Sequence, residues 1–297
     1  VREDGAICPE DRSYVSYSTA ICLTALAVLG NPNDVEVMRK ARHFLIGSQL
    51  SEDNAENPTP KDDPFYGGIG YGSAGPKRPD LSNTQWALEA LYATDYLARE
   101  PFVKDENEGR QTDLAWDRAA KFLETVQNLQ KSAEGTWIVT ADKDGGFRYG
   151  PVSSKASEKY DDTDSLRSYG SMTYAGLKSM IYARVDRDDP RVVAAIDWTG
   201  KHYTLDENPG MGAEGYFYYL HTFAKACAAY GDDVLTTSDG HKHAWRSEVV
   251  RKLLNLQKGD GSWLNDASGR WQESIPELVT CYALLTLETA LGGPPAQ

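Results

Sequence analysis

Five segments of this chain are apolar on nearly every side of a helix, and they recur along the whole sequence. A helix that is apolar on all sides must be buried on all sides, so each segment requires neighbours around its whole circumference. We call these segments the apolar helices. They are predicted at Thr19–Leu29, Gln85–Leu97, Ser171–Ala183, Gly215–Tyr230 and Leu278–Leu291.

Amphipathic helices alternate with the apolar helices. In the first of them, Met38, Ala41 and Leu45 form one apolar stripe. The i, i+3, i+4 spacing of such stripes predicts one buried face and one face in water. The amphipathic helices are predicted at Asp34–Ile46, Asp113–Leu129, Pro190–His202 and Ala244–Leu256.

Residues at the ends of these segments agree with the helix assignment. Pro190 and Pro276 suit a first helical turn, and Asp34 can cap an N-terminus. Gly30 and Gly231 follow apolar runs, where a left-handed C-terminal residue belongs. No segment alternates apolar and polar residues for long, so the sequence predicts little sheet.

Helices that are buried on all sides alternate along the chain with helices that have one face in water, and this alternation predicts two concentric layers of helices. The sequence therefore predicts an all-α fold, an α/α toroid of helix-pair repeats with one central cavity. We expect a single domain over residues 1–297 and a monomer. The chain starts in what looks like a repeat loop, and whether a first outer helix is lacking stays open.

Short glycine-containing loops join the two kinds of helix. In these loops glycine permits a tight turn, and the apolar residue after it packs back between helices. The clearest loop is Gln257–Trp263, and Gln130–Trp137 has looser spacing. Further copies are Asp4–Ile7, Tyr66–Ile69 and Asp144–Phe147.

The residues Gln257, Gly261 and Trp263 resemble the QW motif of squalene-hopene and oxidosqualene cyclases, which ties an outer helix to the next inner helix. Gln130, Gly135 and Trp137 resemble it with looser spacing. Other stretches are similar to bacterial prenyltransferase and squalene oxidase repeat proteins, namely Leu81–Trp86, Tyr169–Gly176 and Asn208–Gly212.

This resemblance covers nearly the whole chain and implies the α/α toroid. It implies an activity less specifically, because the same superfamily includes protein prenyltransferase β subunits and thioester-bearing domains. Squalene cyclases contain two such barrels, whereas this chain has room for one.

The best candidate for acid catalysis is the segment Tyr160–Asp164. In squalene-hopene cyclases an Asp-x-Asp-Asp-Thr motif supplies the proton, and Asp161, Asp162 and Thr163 match its last three positions. The resemblance implies Asp161 or Asp162 as proton donor. Lys159 stands where the motif has its first aspartate, and a solvated loop that caps the next helix explains the same residues.

Tyrosines gather at the predicted starts of the apolar helices. Aromatic walls stabilise carbocations, line sugar-binding clefts or simply pack. Polar residues on the same helices either tie helices together or face the cavity. We expect the cavity to be lined by Tyr17, Tyr66, Tyr71, Asn83, Tyr149, Tyr169, Tyr218 and His221.

Composition narrows the possible partners. The net charge is -13, and Lys and Arg form no run, which excludes a nucleic-acid-binding face. No apolar run is long enough to span a membrane. The four cysteines lack metal-ligand spacing, and we expect neither metal nor cofactor. Val1–Asp4 does not resemble a signal peptide, and the compartment stays open.

Three functions fit these features. The first is an isoprenoid cyclase that protonates its substrate in a central cavity. The second is a non-catalytic binding or scaffold module that takes a polar ligand or a protein at the cavity mouth. The third is a carbohydrate-active toroid, which requires a pair of carboxylates in a cleft.

Overall fold

The computed structural model describes residues 1–54, 56–72, 78–103, 116–129, 143–161 and 166–292. Within these residues the chain is mostly helical. The strands there are β1 (Leu235–Thr236) and β2 (Lys242–His243), which form one antiparallel pair. The predicted all-α fold is thereby confirmed.

The chain divides into two compact units within the last turn of one helix, between Thr125 and Val126. We describe each unit by itself. The single domain and the toroid stay predictions.

The first unit contains alternating apolar and amphipathic helices. Apolar helix α1 packs against apolar helix α3, and amphipathic helix α2 contacts both. Short 3-10 helices follow α1 and α3, at Pro32–Asp34 and Asp95–Ala98. The α-helices are α1 (Val15–Leu29), α2 (Val35–Gly47), α3 (Leu81–Ala93) and α4 (Trp116–Val126).

The second unit repeats this arrangement. Apolar helix α8 packs against apolar helices α6 and α10, and amphipathic helices α7 and α9 pack on α6 and α10 respectively. Its α-helices are α5 (Lys155–Lys159), α6 (Gly170–Tyr182), α7 (Pro190–Lys201), α8 (Tyr216–Tyr230), α9 (Trp245–Leu256) and α10 (Pro276–Ala290). A 3-10 turn at Arg270–Gln272 precedes α10.

Most of the predicted end signals are confirmed. Pro190 and Pro276 are first residues of α7 and α10, and Gly30 and Gly231 close α1 and α8 in the left-handed conformation. Asp34 precedes α2 but makes no capping bond through its side chain. That prediction was wrong because a 3-10 turn leads into α2 and continues its helical backbone.

Burial separates the apolar helices into two groups. The first eleven residues of α3 and of α6 are all buried, and so is most of α8. Helices α1 and α10, in contrast, each expose part of their apolar surface. The prediction that every apolar helix is buried all round is therefore wrong for these two.

The loop Gln257–Trp263 joins α9 to α10 through a specific set of bonds. The Gln257 side chain donates to the carbonyl oxygen of Gly261 at 2.9 Å, and Gly261 has φ 89°. The Trp263 indole donates to the Leu253 carbonyl on α9 at 2.8 Å, while its backbone N–H donates to the Thr280 hydroxyl on α10 at 3.1 Å. The loop thus fastens an amphipathic helix to the next apolar helix.

Three other loops use the same bond to an apolar helix. In each, the backbone N–H two residues after a positive-φ glycine donates to a threonine hydroxyl at 3.0 Å. The donor and acceptor pairs are Ile7 with Thr19, Ile69 with Thr84, and Phe147 with Thr173. The short glycine motifs are therefore one repeated device.

The glutamine of the motif also recurs. Gln49 donates to the Gly67 carbonyl at 3.1 Å, and Gln127 donates to the Gly145 carbonyl at 2.9 Å. The sequence analysis placed the second glutamine copy at Gln130, Gly135 and Trp137, which lie outside the described residues. Gln127, three residues earlier, makes the corresponding bond.

Candidate functional site

Aromatic side chains gather where α1 and α3 begin. The Tyr17 and Tyr71 rings stack with centroids 6.0 Å apart. Tyr14 meets Tyr71 edge-on at 5.9 Å, and Trp86 lies 6.4 Å from Tyr17. We call Tyr14, Tyr17, Tyr71 and Trp86 the tyrosine cluster. It brings together two of the predicted cavity residues, Tyr17 and Tyr71.

The exposed fraction of the side chains in the tyrosine cluster increases from Trp86 to Tyr14. Trp86 is 5% exposed, Tyr71 37% and Tyr14 54%. The Tyr17 hydroxyl is hydrogen-bonded to the Ser82 hydroxyl on α3, which fixes the ring between the two helices. The cluster therefore presents two uncharged rings to solvent on a buried aromatic base.

Tyr14 adopts a conformation that is unusual for a tyrosine. Its φ of 49° lies in the left-handed region, and it stands immediately before α1. Such backbone is costly for a residue with a side chain and persists only where the surroundings hold it. The next residue but one supplies such a contact, since the Ser16 N–H donates to the Tyr71 carbonyl at 3.2 Å.

Asn83, the third predicted cavity residue of this region, is buried beside the cluster on α3. Its backbone N–H and side-chain amide donate to the two carboxylate oxygens of Asp80, at 2.9 and 2.8 Å. Asn83 therefore belongs to the cap of α3. Among the described residues its carbonyl oxygen Oδ1 has no hydrogen-bond partner.

Tyr66 lies in a different environment. The Glu52 carboxylate accepts hydrogen bonds from its own backbone N–H and from the Tyr66 hydroxyl, and these bonds lower the pKa of Glu52 to about 2. Burial, together with this bond, raises the pKa of Tyr66. Arg118 on α4 pairs with neighbouring Asp53 at 2.5 Å. The Tyr66 hydroxyl is thus engaged within the loop after α2, and the Arg118–Asp53 pair joins α4 to that loop.

In the second unit, Tyr218 and His221 meet around one tyrosine. Tyr218 and His221 lie on α8, and their ring centroids are 5.8 and 5.9 Å from that of Tyr282 on α10. His221 is 1% exposed. Burial raises the pKa of Tyr282, and the nearby carboxylate of Glu273 adds to this shift.

The Glu273 carboxylate is buried at the N-terminus of α8. It accepts hydrogen bonds from the Tyr218 backbone N–H at 2.9 Å and from the Asn265 side chain at 2.6 Å. Burial raises the pKa of Glu273, although these donors oppose the shift. A raised pKa favours the protonated form of this carboxyl group.

Sequence reasoning missed Glu273 as a site residue. It follows two residues with positive φ, Trp271 at 55° and Gln272 at 66°, which turn the chain toward α8. Neither is glycine or asparagine, so no local signal marks this turn. A glutamate three residues before Pro276 was the only clue.

The remaining tyrosines of the predicted lining, Tyr169 and Tyr149, precede α6 and α5 in the second unit. Tyr169 is 2% exposed immediately before α6, and its backbone N–H donates to the Phe147 carbonyl at 3.2 Å. Tyr149 is half-buried, with the Lys155 ammonium 5.0 Å from its ring centroid. Both have structural contacts that account for their positions.

Asp161 lies at an exposed turn after α5, with φ 51°. Its backbone N–H donates to the Glu158 carbonyl at 3.4 Å. Asp162, the second predicted proton donor, lies outside the described residues. Protonation of a hydrocarbon requires a carboxylic acid enclosed with its substrate, and the part of the chain that the structure describes leaves Asp161 exposed.

A groove of about 390 Å³ lies elsewhere in the first unit, between the N-terminal residues and α2. Its lining mixes charges of both signs, including Glu36, Arg39 and Lys40. None of the eight predicted cavity residues lines this groove.

Within the described ranges, no group of three or more His, Cys, Asp or Glu side chains could hold a metal ion. No helix of that part of the chain has the length and apolar character needed to cross a membrane.

Comparison with known proteins identifies no family. No protein-family model matches the chain, and no curated protein matches it significantly. The resemblance to the squalene cyclase superfamily therefore rests on the motif residues and stays a prediction.

Proposed function

We propose that this chain is an α/α-toroid binding protein that holds an uncharged polar ligand, such as a sugar, where its apolar helices begin. The observation that carries the proposal is the tyrosine cluster. Its exposed rings, Tyr14 and Tyr71, contact each other, and Tyr71 stacks on Tyr17. Tyr17 in turn lies against buried Trp86, and a hydrogen bond between the Tyr17 and Ser82 hydroxyls holds its ring.

The chemistry of the cluster favours a sugar over a charged ligand. Tyrosine offers a ring face for the C–H face of a sugar and a hydroxyl for the sugar's own hydroxyl groups. The four rings and Ser82 carry no formal charge. A rigid aromatic platform loses little conformational entropy on binding, which supports affinity from a small contact area.

The test is a calorimetric titration with neutral mono- and oligosaccharides, with choline chloride as a cationic probe. We expect saturable sugar binding that weakens about tenfold in Tyr14→Ala and in Tyr71→Ala, the loss of one stacked ring. Tyr92→Ala removes a tyrosine that is also exposed on α3 and serves as the control. Absence of sugar binding, equal losses in all three variants, or binding of choline instead would contradict the proposal.

An isoprenoid cyclase is the second candidate. It is favoured by the Gln257–Trp263 loop, whose bonds join two helices as the QW motif does, and by the buried Glu273 carboxyl group beside Tyr282. Its test is turnover of squalene in Asp161→Asn, Asp162→Asn and Glu273→Gln. A cyclase that uses these acids loses turnover in at least one variant, and retention in all three removes this mechanism.

The carbohydrate-active alternative receives less support. Glycoside cleavage requires two carboxyl groups facing each other across a cleft. Asp161 is exposed at its turn, and Glu273 is engaged by the N-terminus of α8.

A further inference from the structure

Helix α10 exposes a continuous stripe along one side. Its fifteen residues contain two charges, Glu277 and Glu288, and both lie on this stripe. Leu284 is 53% exposed, Leu285 36% and Leu291, just beyond the helix, 75%. We call Glu277, Cys281, Leu284, Leu285, Glu288 and Leu291 the α10 stripe.

The solvent-facing side of α10 is unusually apolar for a helix surface in contact with water. Its opposite side packs against α8 and α9, as an amphipathic helix would, yet the solvent side carries three leucines and a thiol. The amphipathic helix α9, by comparison, exposes one leucine, Leu254, between the polar residues Arg251 and Asn255 on its solvent side. A contiguous exposed apolar surface of this kind marks an interaction site.

We propose that two copies of this chain associate through their α10 stripes, packed antiparallel about a two-fold axis between Leu284 and Leu285. This inference is independent of the proposed sugar site. A two-fold contact requires a surface that complements itself, and the order of residues along α10 provides this.

Charge placement selects the antiparallel arrangement. About the proposed axis, Leu284 faces Leu285 of the other copy, Cys281 faces Glu288, and Glu277 faces Gly292. No glutamate faces a glutamate. A parallel pair would instead set each glutamate against its own copy, and like charges at such short range repel.

In the antiparallel pair, Glu277 of one copy would lie near the C-terminal end of α10 of the other copy. Arg246 supplies a positive charge at that end. Arg246 donates to the carbonyl oxygens of Thr289 and Ala290, at 2.9 and 3.3 Å. Arg246 also pairs with Asp233 through Nε at 2.7 Å, and its side chain is still 33% exposed, so it can take a further partner beside Asp233. The two-fold axis produces this attraction twice.

Helix α1 also exposes apolar residues, Ile21, Val28 and Leu29 among them, but contains no charged residue to set an orientation. We therefore assign the contact to α10.

A helix of fifteen residues is about 22 Å long, and a contact of this length is smaller than a standard stable interface. The dimer is accordingly expected to dissociate on dilution.

The first test is sedimentation of the full chain over a range of concentrations. We expect a reversible monomer–dimer equilibrium that the double variant Leu284→Glu/Leu285→Glu shifts toward monomer by at least tenfold in dissociation constant. Val193→Glu places the same charge at an exposed apolar position of α7 and should leave the equilibrium unchanged. Circular dichroism confirms that each variant is folded.

A second test fixes the geometry. Helix axes about 8–10 Å apart bring facing Cα atoms within disulfide range. Cys281 faces Glu288 of the other copy in the antiparallel pair, so an equimolar mixture of the wild type and Cys281→Ser/Glu288→Cys should form a mixed disulfide-linked dimer under mild oxidation. A parallel pair would instead link each chain to its own copy, and Val193→Cys in a Cys281→Ser background should form neither link.

Three results would overturn the inference. These are a monomer at all concentrations, a dimer that survives Leu284→Glu/Leu285→Glu, or a dimer that is lost only in Ile21→Glu/Val28→Glu. The last result would move the contact to α1.

Discussion

A threonine hydroxyl stands at the start of four apolar helices, and each accepts a bond from the loop before it. In the first unit the Ile69 N–H donates to Thr84, whose own hydroxyl donates to the Ile69 carbonyl at 3.1 Å. Both groups are buried. Removing the hydroxyl leaves a donor and an acceptor without partners in a place that water cannot reach.

We therefore expect Thr84→Val, which keeps the shape of the side chain, to lower the free energy of unfolding by about 1–3 kcal/mol. Thr289→Val is the matched control. The Thr289 hydroxyl only donates to the Leu285 carbonyl on its own helix, at an exposed position. Chemical denaturation measures both, and equal effects would show that the loop bond contributes nothing specific.

Glu273 makes stability depend on pH. Burial raises its pKa in the folded chain above the ordinary value of 4.5, so the folded state holds the proton more tightly than the unfolded state does. Its contribution is then complete below pH 4.5 and is lost as pH rises through the folded pKa.

Glu273→Gln cannot titrate and should remove this pH-dependent component. We expect the wild type to lose unfolding free energy relative to Glu273→Gln as pH increases from 4 to 8. Denaturation at several pH values measures the difference. If the difference grows in the opposite direction, the donors at the N-terminus of α8 outweigh burial and the pKa is lowered instead.

Among the structural elements, some loops approach a neighbouring helix so closely that only glycine fits, and others do not. A Cβ on Gly67 would stand 1.8 Å from the Arg118 carbonyl oxygen of α4, and φ there is 82°. Gly231 has a similarly positive φ of 90° but no atom within 4 Å of such a Cβ. A substitution at Gly231 therefore tests backbone strain alone, whereas a substitution at Gly67 tests backbone strain and close packing together.

Gly231→Ala should cost about 1–2 kcal/mol of unfolding free energy from its left-handed backbone. Gly67→Ala should cost clearly more, because α4 has to move away from the loop. Thermal unfolding compares them. Equal losses would mean that the loop relaxes freely and that α4 is not held against it.

Periodicity predicted the helices well, because burial on one side or on all sides leaves a direct record in residue spacing. The predicted Pro190–His202 ends one residue beyond the observed α7, and Ala244–Leu256 begins one residue before α9. The apolar helix predicted at Gln85–Leu97 begins four residues earlier, because Asp80 caps α3. The exposure of α1 and α10 could not be predicted from periodicity. An apolar face in the sequence indicates that the face favours burial, but it does not show which element buries it.

The site was less predictable than the helices. Two predicted residues, Tyr17 and Tyr71, do meet, because both lie where α1 begins. Glu273 was missed, since a loop distant in sequence carries it to α8. Asp161 was chosen by motif resemblance, which does not indicate burial.

For the whole molecule, the two proposals rest on different helices. Sugar binding depends on the tyrosine cluster of the first unit, and dimer formation depends on the α10 stripe of the second. We expect Leu284→Glu/Leu285→Glu to leave sugar binding unchanged, which calorimetry on that variant measures. A loss of binding in the variant would show that the two surfaces are coupled.

The central claim is that a neutral ligand binds at the tyrosine cluster. Fluorine resonances of the chain labelled with 3-fluorotyrosine, assigned by single Tyr→Phe substitutions and titrated with a neutral oligosaccharide, test it most directly. We expect the resonances of Tyr14 and Tyr71 to shift together and saturate, while that of Tyr92 stays in place. Shifts confined to Tyr218 and Tyr282, or no shift at any tyrosine, would contradict it.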